Sequence, residues 1–166
     1  MQKSDDENIE EVIGQLLVKN NLTLSVAESC TGGLVSTRLT DVSGSSEYIK
    51  LNVVTYSNEA KIKILDVNPE TLSNFGAVSE QTAKEMAEGI RKFANTDIGL
   101  SVTGIAGPTG GTSQKPVGLV FVGISNSKNT QVHKLLHPST FSRKDIKFLS
   151  SQKALQLLKK FIIENY

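Results

Sequence analysis

The most constraining feature of the sequence is a short apolar stretch, Leu22–Val26, that runs without a linker into the segment AESCTGG (27–33). The apolar stretch has the composition of a buried strand, and the Gly pair that closes the segment opens an amphipathic helix. A strand that turns directly into a helix is a building unit of α/β proteins, in which helices cover a sheet. We therefore expect an α/β fold.

The remaining patterns extend this prediction along the chain. Apolar residues at helical spacing predict an opening helix that ends at Asn20-Asn21. Ser57 and Ser79 are placed to cap two further helices. Other strands are predicted at 48–56, 97–103, 117–124 and 131–136, a hairpin turn at 126–129, and a long closing helix marked by residues 146–162. The prediction is one domain over residues 1–166, with a mixed β-sheet covered by helices.

Composition limits the class of protein. The chain has 18 Lys and Arg against 17 Asp and Glu, whereas nucleic-acid binders usually carry a basic excess, so we expect no direct contact with nucleic acid. The opening MQKSDDENIEE lacks the basic and apolar regions of a signal peptide, and no apolar run approaches a membrane span. The single cysteine forms no disulfide within the chain. We therefore expect a cytoplasmic protein.

The segment 27–33 is the first candidate for chemistry. Unpaired backbone N–H groups gather at a helix N-terminus, where they bind an anion or stabilise an oxyanion beside a nucleophile such as Ser29. Cys30 is a second possible nucleophile, as a thiolate. Composition alone leaves a structural role open, in which Ser29 or Thr31 caps the helix and Cys30 fills the core.

Two further segments follow predicted strands. VTYSNEAK (54–61) brings Tyr56 and Lys61, but Lys61 acts as a base only if its pKa falls by about 3 from about 10.4, which needs a desolvated or positively charged pocket. Otherwise Lys61 is a solvated surface lysine. TGIAGPTGG (103–111) holds four glycines, so its backbone is able to approach a ligand closely, although a turn-rich connection has the same composition.

The two histidines do not indicate a metal site. His133 and His137 lie on one predicted strand, about 13 Å apart at about 3.3 Å per residue, too far to share an ion. With the single cysteine elsewhere, a zinc site is not expected. A Ser-His-Asp triad is disfavoured, since nothing distinguishes either histidine.

Taken together, these segments resemble one family, the C-terminal domain of the competence-damage protein CinA and the stand-alone nicotinamide mononucleotide deamidases built from that domain. The similar segments are LSVAESCTGGLVSTRLTDVSGSS (24–46), VVTYSNEAKIKILDV (53–67), GAVSEQTAKEMAEGI (76–90) and VTGIAGPTGGTSQKPVGLVFVGI (102–124). They cover most of the chain in the family's order and spacing. We do not expect the molybdopterin-binding-like module of full-length CinA within this sequence.

The resemblance implies hydrolysis of the carboxamide of nicotinamide mononucleotide to nicotinic acid mononucleotide and ammonia, with no metal and no cofactor. By the family's motifs Ser29 is the nucleophile, Lys61 its base and Tyr56 an assisting group. Backbone N–H groups of the turn from Cys30 to Gly33 are expected to hold the oxyanion. Residues implied to contact the substrate are Cys30, Thr31, Gly32, Gly33, Gly44, Thr103, Gly104 and Arg143.

One part of the family's pattern departs here. The family commonly has Gly-Asp-Arg and a second Arg four residues later, whereas this chain has Phe141-Ser142-Arg143 and then Lys147. Arg143 remains as a cation for the substrate phosphate, but Lys does not make planar bidentate contacts. The alternative function is a non-catalytic protein-interaction module linked to competence and recombination. The intact Ser29, Tyr56 and Lys61 favour the enzyme, and we expect a homo-oligomer.

Overall fold

The structure is a computed structural model that describes residues 8–166. Residues 1–7, which contribute to the expectation that no signal peptide is present, lie outside the described residues. The strands are β1 (Leu24–Glu28), β2 (Ile49–Val54), β3 (Ile98–Gly104), β4 (Leu119–Ser125) and β5 (Thr130–Leu136). The helices are α1 (Ile9–Lys19), α2 (Leu34–Thr40), α3 (Asn58–Leu65), α4 (Pro69–Phe75), α5 (Glu80–Ala94) and α6 (Arg143–Asn165).

The strands form one five-stranded sheet in the order β2-β1-β3-β4-β5. β1 pairs in parallel with β2 and β3, while β3–β4 and β4–β5 are antiparallel. Alternating residues of β1 enter two separate cores, with Val26 among α1, α2 and α6 and Ala27 among α3, α4 and α5. The predicted mixed sheet covered by helices is confirmed.

Local sequence signals account for most element boundaries. Ser57 and Ser79 cap α3 and α5 as predicted, each accepting a hydrogen bond from a backbone N–H three residues on. β1 begins at Leu24 rather than Leu22, because the Leu22 N–H still donates to Leu17 O at the end of α1. α4 was not predicted, although Asn68 caps it and Pro69 occupies its first position.

The parallel strands determine where a site forms. β1, β2 and β3 end at the same edge of the sheet. β2, the next strand in the sequence, lies on one side of β1, and β3 lies on the other side. In α/β sheets ligands bind at the carboxyl ends of the strands, where the strand order reverses. Within residues 8–166, the helices are too short or too polar to cross a membrane.

Candidate active site

A cavity of about 270 Å³ opens at this edge of the sheet. Its wall is made by the ends of β1 and β3, by α3, by the start of α6 and by the glycine-rich segment predicted to approach a ligand. The predicted site residues that line it are Ser29, Cys30, Tyr56, Lys61, Thr103, Gly104 and Arg143. Four separate stretches of the sequence therefore meet in one place.

Ser29 is the first residue after β1, and its backbone is fixed on both sides. Its N–H donates to Val102 O at 2.9 Å, and its carbonyl accepts from the Gly32 N–H at 3.1 Å. The Ser29 Oγ lies 3.1 Å from Lys61 Nζ. This distance lies within the hydrogen-bond reach expected between a nucleophile and its base in covalent catalysis.

Lys61 is almost completely buried, with 1% of its surface exposed. It lies one turn into α3, and its Nζ also donates to the Thr55 carbonyl oxygen at 2.7 Å. Among the described residues no carboxylate forms an ion pair with it. Burial lowers the pKa of Lys61, and this effect exceeds the opposing influence of Cys30, which raises it. The desolvated environment that a lysine base needs is therefore present.

Cys30 is buried beside Ser29, and its thiol does not have the properties of a nucleophile. Burial is the main reason that its pKa rises to about 12, with a smaller contribution from the charge of Glu28. A thiol with so high a pKa stays protonated at neutral pH. Burial therefore disfavours the thiolate alternative, and Ser29 is the candidate nucleophile of this turn.

Tyr56 and Arg143 meet at the rim of the cavity. Arg143 is the first residue of α6; its Nη2 donates to Tyr56 Oη at 3.0 Å and its Nη1 donates to Gly107 O at 2.8 Å. Tyr56 is 62% exposed, and its hydroxyl bonds neither Ser29 nor Lys61. The expected part of Tyr56 in proton transfer and that of Arg143 in phosphate binding stay predictions.

The turn between β1 and α2 differs from the expected oxyanion site. The Gly32 N–H donates to Ser29 O, and the Gly33 N–H donates to the side chain of Glu28 at 3.0 Å. The expectation that these two amides are available to a ligand is therefore wrong, because groups of the protein already occupy them. The N–H groups of Cys30 and Thr31 donate to no other residue within 8–166.

Glu28 was missed by sequence reasoning. It is fully buried at the end of β1, where its carboxylate caps α2. The available signal was its position: an acidic residue in a buried strand, directly before a helix start, requires several hydrogen-bond donors.

Thr103 and Gly104 form the β3 side of the cavity. The Thr103 hydroxyl is buried and donates to Ala77 O at 2.8 Å. A Cβ at Gly104 would lie 2.7 Å from Leu119 O, so the close pairing with β4 requires glycine. These contacts explain why both residues are present without assigning them a role toward substrate.

Four expected contact residues lie outside the cavity wall, namely Gly33, whose amide bonds to Glu28, and Thr31, Gly32 and Gly44. Thr31 is buried, and its hydroxyl has no partner among the described residues. Gly32 lies close to α6, because a Cβ built on it would be 3.4 Å from Lys147 Nζ. Gly44 lines a separate groove between α1 and the segment after α2, so the structure does not bring it to the Ser29 cavity. The sequence around Gly44 does not indicate which part of the fold it faces.

The titratable side chains of the described residues give no metal-binding geometry. Across residues 8–166 no group of three or more His, Cys, Asp or Glu side chains is arranged to hold an ion. His137 instead shares a hydrogen bond of 3.0 Å with Ser150 of α6.

Comparison with known proteins agrees with this architecture. The sequence model of the CinA C-terminal domain matches residues 6–162. A "putative competence-damage inducible protein" of Thermoanaerobacter pseudethanolicus is 54% identical over 96% of this chain and 38% of its own length. A "CinA-like protein" of Endomicrobium trichonymphae is 51% identical over 98% of this chain and 37% of its own. The chain thus spans well under half the length of these relatives.

Solved structures cover the chain almost entirely. The competence/damage inducible protein CihA from Agrobacterium tumefaciens superimposes with a TM-score of 0.89 at 39% identity, covering 95% of this chain and 96% of that one. The competence damage-inducible protein A (ComA) from Klebsiella pneumoniae gives a TM-score of 0.92 at 29% identity, covering 97% and 99%.

Proposed function

The chain belongs to the family of the CinA C-terminal domain, and from this premise we propose that it is a nicotinamide-nucleotide amidase. It hydrolyses the carboxamide of nicotinamide mononucleotide to nicotinic acid mononucleotide and ammonia. The observation that carries the proposal is the 3.1 Å distance from Ser29 Oγ to the buried Nζ of Lys61. Because the relatives are much longer than this chain, the proposal concerns the activity of this domain.

Lys61 acts first as the base. One of its N–H groups donates to the Thr55 carbonyl, which orients the nitrogen lone pair of the neutral amine toward the Ser29 hydroxyl. The amine takes the hydroxyl proton while the Ser29 oxygen bonds to the carboxamide carbon. The free N–H groups of Cys30 and Thr31 are the donors for the resulting oxyanion.

Lys61 then acts as the acid. The tetrahedral intermediate collapses, the carbon–nitrogen bond breaks, and the proton held by Lys61 passes to the leaving group, which departs as ammonia. Water then attacks the ester carbonyl on Ser29 while the same amine takes its proton; the carbon–Oγ bond breaks, the amine passes that proton to the Ser29 oxygen, and the acid product leaves as its carboxylate after losing a proton to solvent. No metal takes part in this scheme.

The dimensions of the cavity support a small substrate group. Its volume of about 270 Å³ is near the lower bound of about 300 Å³ for small-molecule sites. An aromatic ring with its carboxamide suits this space, and the rest of the nucleotide extends over the rim toward Arg143. Arg143 supplies the positive charge for the phosphate.

The alternative, a non-catalytic interaction module, draws on the names of relatives that refer to competence and damage. An interaction surface has no need of a desolvated lysine against a serine hydroxyl. Burying that amine is costly, so a site that keeps it is better explained by catalysis.

The test is ammonia release from nicotinamide mononucleotide at neutral pH in the presence of a chelator. We expect release by the wild type and by Ser127→Ala, a control at an exposed turn residue, but not by Ser29→Ala. Activity that survives in Ser29→Ala would exclude this mechanism. No release by any of the folded proteins would favour the interaction module.

A further inference from the structure

Glu28 connects the two halves of the proposed catalytic pair. Its buried carboxylate accepts four hydrogen bonds, from the N–H groups of Gly33 (3.0 Å), Val35 (3.1 Å) and Ser36 (2.8 Å) and from the Ser36 hydroxyl (2.6 Å). A carboxylate is stable in a protein interior only when donors of this kind replace water. These bonds hold the start of α2 against the end of β1, and Ser29 lies in the turn between them.

The main chain of Glu28 acts on the other half. Its carbonyl accepts from the Thr55 N–H at 2.9 Å, and the Thr55 carbonyl in turn accepts from Lys61 Nζ at 2.7 Å. The side chain of Glu28 therefore holds the turn that contains Ser29 in place. Its backbone carbonyl holds Thr55, whose own carbonyl oxygen orients the Lys61 amine.

We infer that Glu28 is a positioning residue for the proposed reaction: its carboxylate holds the Ser29 hydroxyl in line with Lys61 and keeps the Cys30 and Thr31 amides pointed at the oxyanion. The inference rests on the proposed function. It differs from ordinary helix capping, because the N-cap residue of α2 is Gly33, which has no side chain, and the cap comes from the strand on the far side of the nucleophile.

Glu28→Gln separates this role from simple space filling. Glutamine has the same shape but supplies one acceptor oxygen and an NH₂ group. If the glutamine oxygen still accepts from the N–H groups of Gly33 and Val35, its NH₂ group faces the Ser36 N–H. Two hydrogen-bond donors then oppose each other. The turn must then shift to relieve this contact.

The experiment measures kcat and KM for nicotinamide mononucleotide with Glu28→Gln, Ser36→Ala and a matched control, Glu85→Gln. Glu85, on α5, also caps through its carboxylate, which accepts from the Asn68 N–H and the Thr71 hydroxyl at the start of α4, but it is not part of the Ser29 cavity wall. In Glu28→Gln we expect kcat to fall about 10–100-fold with KM near the wild-type value, since a misplacement of about 1 Å can cost about a factor of 100. Ser36→Ala removes one bond to Glu28 and should lower kcat less.

A second readout does not depend on the substrate. Phenylmethylsulfonyl fluoride labels an activated serine by forming an Oγ–S bond with loss of fluoride and the hydroxyl proton, and the rate is followed by mass. We expect labelling of Ser29 to slow in Glu28→Gln by about the factor seen in kcat. If the wild type labels but releases no ammonia, the proposed substrate is wrong and the labelling rates alone decide the inference.

Wild-type kcat and labelling rate in both Glu28→Gln and Ser36→Ala would overturn the inference. An equal loss in Glu85→Gln would overturn it as well, because the effect would then follow general destabilisation. Should Glu28→Gln not fold, Ser36→Ala tests the inference by the same criteria.

Discussion

Arg143 and Tyr56, 87 residues apart in the sequence, share a hydrogen bond of 3.0 Å at the mouth of the Ser29 cavity. The same guanidinium group reaches Gly107 O with its other terminal nitrogen. The bond joins the start of the last helix to the end of the second strand. It places a positive charge and an aromatic ring on one side of the entrance, while the buried lysine lies inside.

Removing Arg143, the cation proposed to bind the substrate phosphate, should affect substrate binding rather than the chemical step. In Arg143→Ala we expect KM for nicotinamide mononucleotide to rise about 10–100-fold, since a charged hydrogen bond contributes about 1.5–3 kcal/mol. Nicotinamide riboside, which lacks the phosphate, should be turned over equally by both proteins. Steady-state kinetics with both substrates checks this, with the exposed neighbour variant Lys144→Ala as control. An equal effect on both substrates would contradict a phosphate contact.

Loss of the base should abolish most of the activity. Lys61→Met keeps the length and apolar character of the buried side chain but has no basic nitrogen, so we expect kcat to fall about 10²–10⁴-fold. Lys63→Met, at an exposed position on the same helix, should behave as the wild type. Comparable kcat values for the two variants would show that Lys61 has no catalytic part.

The pH dependence should follow the neutral form of Lys61. Burial lowers the pKa of this amine in the folded protein, so kcat/KM should rise with pH and level off below the ordinary pKa of a lysine. Stability should rise in the same direction. At a pH below the folded pKa, Lys61 is charged in the folded protein, and burying that charge lowers the free energy of unfolding by its full amount. Between the folded and unfolded pKa values the unfolded chain binds more protons, so the free energy of unfolding rises with pH.

Two measurements test this pair of effects. The first is a pH–rate profile of the wild type, and the second is the urea midpoint of wild type and Lys61→Met across the same pH range. The stability rise should be absent from the variant. A wild-type rate that falls with pH over this range would indicate that the protonated lysine is the active form.

The Cys30 thiol should be inert. Because burial raises its pKa to about 12, the native protein should resist iodoacetamide at neutral pH and react only after unfolding. Cys30→Ala keeps the backbone amide and should retain ammonia release, at a stability cost of about 1 kcal/mol. Alkylation followed by mass spectrometry and the ammonia assay test both points. Rapid alkylation of the folded protein, with loss of activity, would reinstate a cysteine nucleophile.

The accuracy of the sequence predictions follows the range of the interactions involved. The caps at Ser57 and Ser79 were predictable, because an N-cap serine and its N–H partner lie three residues apart. The mixed sheet was predictable from the strand pattern and one hairpin. Local reasoning also identified Ser29 and Lys61 as candidates, since each follows a strand that ends at the same edge of the sheet.

The remaining features depend on which groups meet in space. The bond from Arg143 to Tyr56 joins segments that are far apart in the sequence, so no local pattern reports it. Gly44 carries the backbone conformation that its glycine suggests, with a φ of 84°, yet it faces a different groove. The amides of Gly32 and Gly33 were assigned to a ligand because their partners within the protein, the Ser29 carbonyl oxygen and the Glu28 carboxylate, were not recognised.

The carboxylate of Glu28 also affects how positive charge is distributed along the cavity. Since the start of α2 is neutralised from within the protein, it offers little attraction to an incoming anion. The cationic group on the cavity wall that is open to solvent is Arg143, at the outer rim. For the proposed nucleotide substrate we therefore expect entry with the carboxamide leading and the phosphate trailing toward Arg143, and we expect the reverse orientation to bind less well.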